Sequence, residues 1–354
     1  MKVLVTGGCG FIGSAVIRHA MRNSDHEIVN LDKLTYAATP EALEEASRDE
    51  RYRFEHADIC DAGRLRAILD MHRPQAVMHL AAESHVDRSI DGPADFLQTN
   101  VIGTFTLLQA ARAYFDGLSG SERAAFRFLH VSTDEVFGAL SYDDPPFTET
   151  SPFRPRSPYS ASKAASDHFA AAWGHTYGLP ILISNCSNNY GPWQFPEKLI
   201  PLMIIRARRG ETLPVYGDGG NVRDWLHVDD HAEALWTIFE RGRIGETYAV
   251  GGGAEHSNLD VVRWICDSMD RRFPKPAAHA KRIRFVSDRP GHDRRYAIDA
   301  SKITSELGWM PKRRFRAGLE QTIDWYLNHE SWWQSVNARI YDGRRLGLAE
   351  RLAS

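Results

Sequence analysis

Residues 7–13 read GGCGFIG and lie between a short apolar run, KVLVT at 2–6, and a stretch with helical periodicity over 11–21. Gly7, Gly10 and Gly13 keep a three-residue spacing, the pattern of a strand that turns tightly into a helix. Glycine there lets the backbone approach a pyrophosphate whose charge rests on the helix N-terminus. A glycine triplet by itself is equally a structural turn, and Asp32 is what separates the two readings. It stands 19 residues after Gly13, at the end of the second apolar run, where a carboxylate accepts hydrogen bonds from both hydroxyls of an adenosine ribose. The same charge repels a 2′-phosphate, which favours NAD over NADP, although the neighbouring Lys33 tempers that preference.

Strand-like runs recur at 27–31, 53–56, 76–80, 127–132 and 181–185, mostly separated by segments of helical periodicity. This alternation predicts an α/β fold, a Rossmann-type doubly wound parallel sheet covered by helices on both faces. The rhythm breaks after about residue 185. The expected division is therefore a NAD-binding domain over 1–185 and a smaller C-terminal substrate-binding domain over 186–354, with part of 222–250 returning to the first. Proline-rich stretches at 143–158 and 192–201 are expected as loops over a crevice, and the basic run 271–284 as a solvated loop. The tail after Trp333 is amphipathic in places and carries no recognisable chemistry.

A hydrophobic fraction of 43% with 25% charged residues is globular usage, and a net charge of −3 gives no global attraction to nucleic acid or an anionic membrane. No apolar run approaches the roughly 18 residues of a membrane span, and the N-terminus runs straight into the glycine turn without a signal-peptide layout, so a cytoplasmic protein is expected. Cys9, Cys60, Cys186 and Cys266 are scattered without a CxxC pair, which argues for small core residues and no metal site.

Several positions carry chemistry. Asp58 and Ile59 follow the third strand and either flank an adenine or, for Asp58, cap a helix. Ala81 and Ala82 are small enough for a cofactor to lie against the fourth strand end, and Ser84 faces the crevice. His85 is a hydrogen-bonded structural residue, or else a ligand or an acid. Thr99 and Asn100 are expected to start a helix, capping it or touching the cofactor. Tyr159 and Lys163 are four apart, on one helix face, so the ammonium is expected to lower the phenol's pKa and make it a base for a substrate hydroxyl. They follow Ser132-Thr133 by about 25 residues.

These features resemble the extended short-chain dehydrogenase/reductase family, whose members modify nucleotide sugars. The strings DKLTYA, AAESHVDRSI, STDEV, SPYSASKAASDH, NCSNNYGP, FPEKLIP, VRDWLHVDDHA and DRPGHDRRYAID carry the likeness over residues 1 to about 333. Next to Tyr159, Asp134 and Glu135 offer one acid and one base, which eliminating water across adjacent carbons requires. The resemblance implies Thr133, Asp134, Glu135, Tyr159 and Lys163 as the catalytic set. It implies NAD contacts at Phe11, Ile12, Asp32, Lys33, Leu34, Thr35, Asp58, Ile59, Leu80, Ala81, Ala82, Thr99, Tyr159, Lys163 and Asn188, beside the three glycines. It implies sugar-nucleotide contacts at Ser84, Thr133, Asn189, Lys198, Leu199, Pro214, Val215, Tyr216, Arg223, Asn258, Arg289 and His292. Of these, Lys198, Arg223 and Arg289 suit a diphosphate, and Tyr216 suits stacking on thymine. The implied substrate is dTDP-glucose, the implied product its 4-keto-6-deoxy derivative, and the implied assembly a homodimer formed by a four-helix bundle from 100–115 and 159–177. Phe137, Trp193-Gln194 and LTYAAT depart from the family's usual residues.

Overall fold

The structure is a computed structural model and describes residues 1–339. Six strands, β1 (Lys2–Thr6), β2 (Glu27–Asp32), β3 (Tyr52–His56), β4 (Ala76–His79), β5 (Arg127–Thr133) and β6 (Ile181–Cys186), come from the first half of the chain. The second half adds β7 (Asn188–Tyr190), β8 (Leu213–Tyr216), β9 (Val222–His227), β10 (Thr247–Val250), β11 (Glu255–Ser257) and β12 (Ile283–Val286). The principal helices are α1 (Phe11–Asn23), α2 (Ala62–His72), α3 (Val86–Asp91), α4 (Thr104–Asp116), α5 (Pro158–Tyr177), α6 (Leu199–Arg209), α7 (Val228–Arg241), α8 (Asn258–Arg272), α9 (Phe315–Asn328) and α10 (Glu330–Arg339).

Seven strands form one sheet in the order β10-β6-β5-β4-β1-β2-β3, and every pairing in it is parallel. A sheet covered on both faces buries its central strands throughout, and all six residues of β6, ILISNC, are buried. On one face α1 packs beside α7, with Val16, Ile17, Leu235 and Phe239 in the core and the Trp236 indole donating to the Val16 carbonyl at 2.9 Å. On the other, Leu65 and Ile68 of α2 meet Leu107 and Leu108 of α4 and Ala170 and Trp173 of α5. Chain order reverses between β1 and β4, and at that switch point the carboxyl ends of a doubly wound sheet leave a crevice. Helix α7 and strand β10 thus pack against the large sheet although they follow residue 222.

Most other elements of the second half gather around a separate core that includes Tyr190, Met203, Ile265, Phe315 and Tyr326. Strands β11, β9 and β7 make a three-stranded sheet, and β8 pairs in parallel with β12. Backbone bridges from Leu140 to Arg295 and from Phe147 to Ile298 fasten the proline-rich segment 143–158 to this half.

Two loop expectations change. Segment 192–201 is a loop only as far as Lys198, because α6 starts at Leu199 with Pro201 in its first turn, where a missing N–H costs no helical hydrogen bond. The basic run 271–284 is largely ordered: Arg271 and Arg272 close α8 on Glu320 and Asp324, Arg282 donates to the Gly210 carbonyl, and β12 follows. Among the described residues no helix is long and apolar enough to cross a membrane. The amphipathic reading of the tail falls mainly on residues 340–354, outside those described; the part within them is α10, whose Trp332 and Trp333 are buried.

Candidate active site

The glycine turn is as tight as its sequence demands. Gly7 has φ +73°, and a Cβ there would lie 2.6 Å from the Ala81 nitrogen; a Cβ on Gly13 would lie 2.1 Å from the Gly7 carbonyl oxygen. Neither position admits a side chain without moving backbone. Asp32 closes β2 beside this turn, accepting from the Cys9 amide at 2.9 Å through Oδ2 and from the Leu34 amide at 2.8 Å through Oδ1. Each oxygen keeps acceptor capacity for a ribose hydroxyl. Burial raises the carboxyl's pKa, and the two amide bonds oppose the shift.

Lys33 donates to Thr99 Oγ1 at 3.2 Å and lies 3.6 Å from Asp58, which ties together three predicted cofactor residues. One cavity is lined by the three glycines with Phe11, Ile12, Asp32, Lys33, Thr35, Ile59, Leu80, Ala81, Ala82, Thr99, Asn188, Tyr159 and Lys163. Leu34 and Asp58 flank this wall without lining it. Glycine turn, free carboxylate acceptors and small strand-end alanines together fit a dinucleotide.

Two capping expectations fail. Asp58 Oδ1 accepts from the Cys60 amide, and the N-cap of α2 is Asp61, whose Oδ1 accepts from Arg64 at 2.9 Å. Thr99 and Asn100 do not start a helix; they lie within a π-helical turn, Leu97–Gly103, that runs into α4. Asn100 instead clamps Glu83, accepting from its amide at 2.8 Å and donating to its carbonyl at 2.9 Å and to Ser162 at 2.8 Å.

Helix α5 begins with a reciprocal Ser157/Ser160 capping box and Pro158 in its first turn, which fixes Tyr159 and Lys163 at the sheet's carboxyl edge. Lys163 Nζ donates to the Val131 carbonyl at 2.9 Å, and burial holds its own pKa down. Burial, with the Glu135 charge next, pushes the Tyr159 phenol well above its ordinary value, while a hydrogen bond with Thr133 pulls the other way. Shared helix face fixed direction, but the longer lysine reaches past the ring to the strand.

Past β5 the chain makes a 3-10 turn, Asp134–Phe137, capped by Thr133 Oγ1 accepting from the Glu135 amide at 3.3 Å. Thr133 also donates to Asp134 Oδ1 at 3.4 Å, and Asp134 Oδ2 is buried with no hydrogen-bond partner. The two carboxyls differ in surroundings. Asp134 is raised well above the usual carboxylate range by burial, then by Glu135 and Asp224. Glu135 is raised by burial but pulled down by Arg289, Arg223 and Lys198. Glu135 lines the dinucleotide cavity and a second cavity beside it; Asp134 lies behind the wall and lines neither.

That second cavity is lined by Ser84, Asn189, Lys198, Leu199, Pro214, Val215, Tyr216, Arg223, Asn258, Arg289 and His292, so the structure gathers every predicted substrate residue there except Thr133, which lines the first. Three of its walls are cationic. Lys198 Nζ donates to the Ser84 carbonyl at 3.2 Å; Arg223 stacks 4.3 Å from the Tyr296 ring centroid and donates to the Asp293 carbonyl at 3.0 Å; Arg289 meets Asp87 at 3.1 Å.

The family described as GDP-mannose 4,6 dehydratase matches residues 4–322. The chain belongs to that family. Within it, the chain is 56% identical over 362 residues to a dTDP-glucose 4,6-dehydratase of Escherichia coli, covering 99% of this chain and 100% of the relative. It is 56% identical over 353 residues to the dTDP-glucose 4,6-dehydratase of Neisseria meningitidis, covering 99% of each. A dTDP-glucose 4,6-dehydratase from Streptomyces venezuelae, solved with NAD bound, superposes with a TM-score of 0.87 at 45% identity, covering 95% of this chain and all of that one. A UDP-glucose 4-epimerase from Thermus thermophilus, also solved with NAD, shares the fold at a TM-score of 0.81 and 29% identity, over 93% and 100% of the two chains.

For a member of this dehydratase family, the structure adds residues that motif reading passed over. Glu197 is buried in the wall common to both cavities, 3.0 Å from Arg88 and accepting from the Tyr36 hydroxyl at 3.2 Å; its only sequence signal was its place in FPEKLIP. Gln194, one of the departures, donates to the Asn189 carbonyl at 2.9 Å, and Trp193 before it adopts φ +69° with its ring 4.8 Å from Trp325 and 5.2 Å from Trp332. Aromatic packing against α9 and α10 thus holds a bulky residue in left-handed backbone at the head of the loop that carries Glu197 and Lys198.

Proposed function

We propose that the chain converts dTDP-glucose to dTDP-4-keto-6-deoxy-D-glucose and water, the step that feeds dTDP-L-rhamnose and related deoxysugars. The observation that supports this reading is Glu135, in the wall common to the two cavities, beside Tyr159 in the first, with Asp134 directly behind it in the chain. A 4-epimerase needs a base and a hydride acceptor but no acid and base for dehydration, which favours the dehydratase over the epimerase neighbour on the same fold. When bound, NAD would supply a reversible hydride carrier, accepting from C4 and later donating to C6.

The other steps fall to side chains. Tyr159 takes the proton of the glucose 4-hydroxyl as C4 is oxidised. The resulting ketone acidifies C5–H, Glu135 removes that proton, and Asp134 protonates the departing 6-hydroxyl. Glu135 afterwards returns a proton to C5. Lys198, Arg223 and Arg289 neutralise the diphosphate, and Tyr216 packs on the base. Incubating the purified protein with dTDP-, UDP- and GDP-glucose should yield the 4-keto-6-deoxy product fastest from dTDP-glucose with no reductant added. Stoichiometric consumption of NADPH would sink the reading.

The same proposal includes a homodimer in the cytoplasm, where phosphorylated nucleotides and free thiols belong. The neighbouring helices α4 and α5 leave an aromatic surface: Phe105 and Tyr177 are 37% and 38% exposed, and Phe105 meets Trp173 edge-on at 5.7 Å. Pairing this surface with its copy makes a four-helix bundle. Light scattering should give twice the chain mass of 39.9 kDa, and Phe105→Glu should shift it toward the monomer. A wild-type monomer at every concentration would refute the dimer.

A further inference from the structure

Asp87 occupies the first turn of α3, which leaves the end of β4 on the cofactor side of the cleft. Its carboxylate is buried in the wall of the second cavity, and both oxygens are engaged by residues from the opposite half of the chain. Oδ1 meets Arg289 Nη1 at 3.1 Å, and Oδ2 accepts from the Tyr216 hydroxyl at 3.0 Å. Tyr216 closes β8 and Arg289 follows β12; the two strands pair with Tyr216 opposite Val286, so this ribbon forms one unit of wall. Asp87 is therefore a post against which the ribbon is held, linked through α3 to Ser84, whose carbonyl accepts from Lys198.

The bonds are economical in what they leave over. Asp87 takes a terminal nitrogen of Arg289, and Arg289 Nε remains buried without a hydrogen-bond partner. A buried guanidinium N–H kept unpaired is costly unless an anionic oxygen accepts from it. The tyrosine hydroxyl, in turn, is anchored at the far end of the ring, which fixes where that end sits in the cavity wall.

We propose that Asp87 is a positioning residue for the nucleotide: by holding the Tyr216 ring and the Arg289 guanidinium in register across the cavity, it sets the affinity for a pyrimidine nucleoside diphosphate without touching the reacting carbons. This rests on the reading of the second cavity as the sugar-nucleotide site.

The test is titration of the NAD-loaded protein with dTDP, together with steady-state turnover of dTDP-glucose, for wild type, Asp87→Asn, Tyr216→Phe and the double variant. Loss of a charged acceptor predicts dTDP binding weakened about 10- to 100-fold in Asp87→Asn, with KM rising in parallel and kcat falling less than about threefold. Tyr216→Phe should weaken dTDP about 3- to 10-fold, and the double variant should lose less than the product of the two singles, because both remove the same bond. NAD content and melting temperature should stay at wild-type values; a merely structural role would move both and leave the KM-to-kcat split absent. Unchanged dTDP affinity in Asp87→Asn, or losses that multiply in the double variant, would overturn the proposal. Should Asp87→Asn fail to fold, wild-type dTDP affinity in Tyr216→Phe would overturn it. If wild type itself does not bind dTDP, the functional reading fails instead, which separates the two.

Discussion

Tyr159→Phe is expected to lower turnover of dTDP-glucose about 10²- to 10⁴-fold while leaving folding and NAD content intact. The ring is buried at the edge of the first cavity and packs edge-on against Phe96 at 6.2 Å, contacts that phenylalanine keeps. What is lost is the ionisable oxygen. Its neighbours are Thr133, which favours the phenolate, and Glu135, which opposes it. Lys163 is bonded to the Val131 carbonyl, so Lys163→Met should act through the cofactor's seat more than through the phenol's proton. No intermediate should accumulate in Tyr159→Phe, because the first oxidation is the step removed. Turnover within threefold of wild type would show that another group is the base.

Asp134→Asn and Glu135→Gln should stop the reaction later, and at different points. With Asp134 replaced, oxidation at C4 remains possible but the 6-hydroxyl lacks its acid, so a 4-keto-glucose nucleotide should build up and product formation should fall about 10²- to 10⁴-fold. With Glu135 replaced, exchange of the C5 proton with solvent should cease. The assignment follows from environment: burial and then the Glu135 and Asp224 charges raise Asp134, with Arg223 opposing, whereas three cations pull Glu135 toward its ionised form. Stability gives an independent check on Asp134. A raised folded-state pKa means that the carboxyl's contribution to stability is full only below the ordinary carboxylate value near about 4 and is lost as pH climbs toward the folded value. Asparagine carries no such dependence. The melting temperature of Asp134→Asn relative to wild type should therefore rise as pH increases from about 4, and parallel melting profiles would contradict a raised pKa for Asp134.

Legibility in the sequence follows the range of the interaction. The glycine turn and the Tyr159–Lys163 pair are encoded within a few residues, and the buried parallel strands β1, β2, β4, β5 and β6 announce themselves as short, largely apolar runs, whereas the edge strand β3, YRFEH, is mostly exposed. Strands β7 and β11 have three residues each, too few for any alternation to register. Helix α6 was hidden by the prolines around its start. Thr99 and Asn100 were misplaced because a π-helical turn leaves no distinct local pattern. Asp87 and Glu197 were missed as functional residues because their meaning lies in partners 129 and 109 positions away, Tyr216 and Arg88. Spacing on a helix gives Lys163 a direction but not its partner, the Val131 carbonyl.

The central claim is that oxidation, loss of water and reduction occur in one cleft without exchange of the transferred hydrogen. Wild-type protein should be supplied with dTDP-glucose deuterated at C4, in ordinary water, and the product analysed by NMR. The account predicts deuterium at C6 of the same molecule. Product lacking deuterium at C6, with the label washed into solvent or into free nicotinamide dinucleotide, would contradict it.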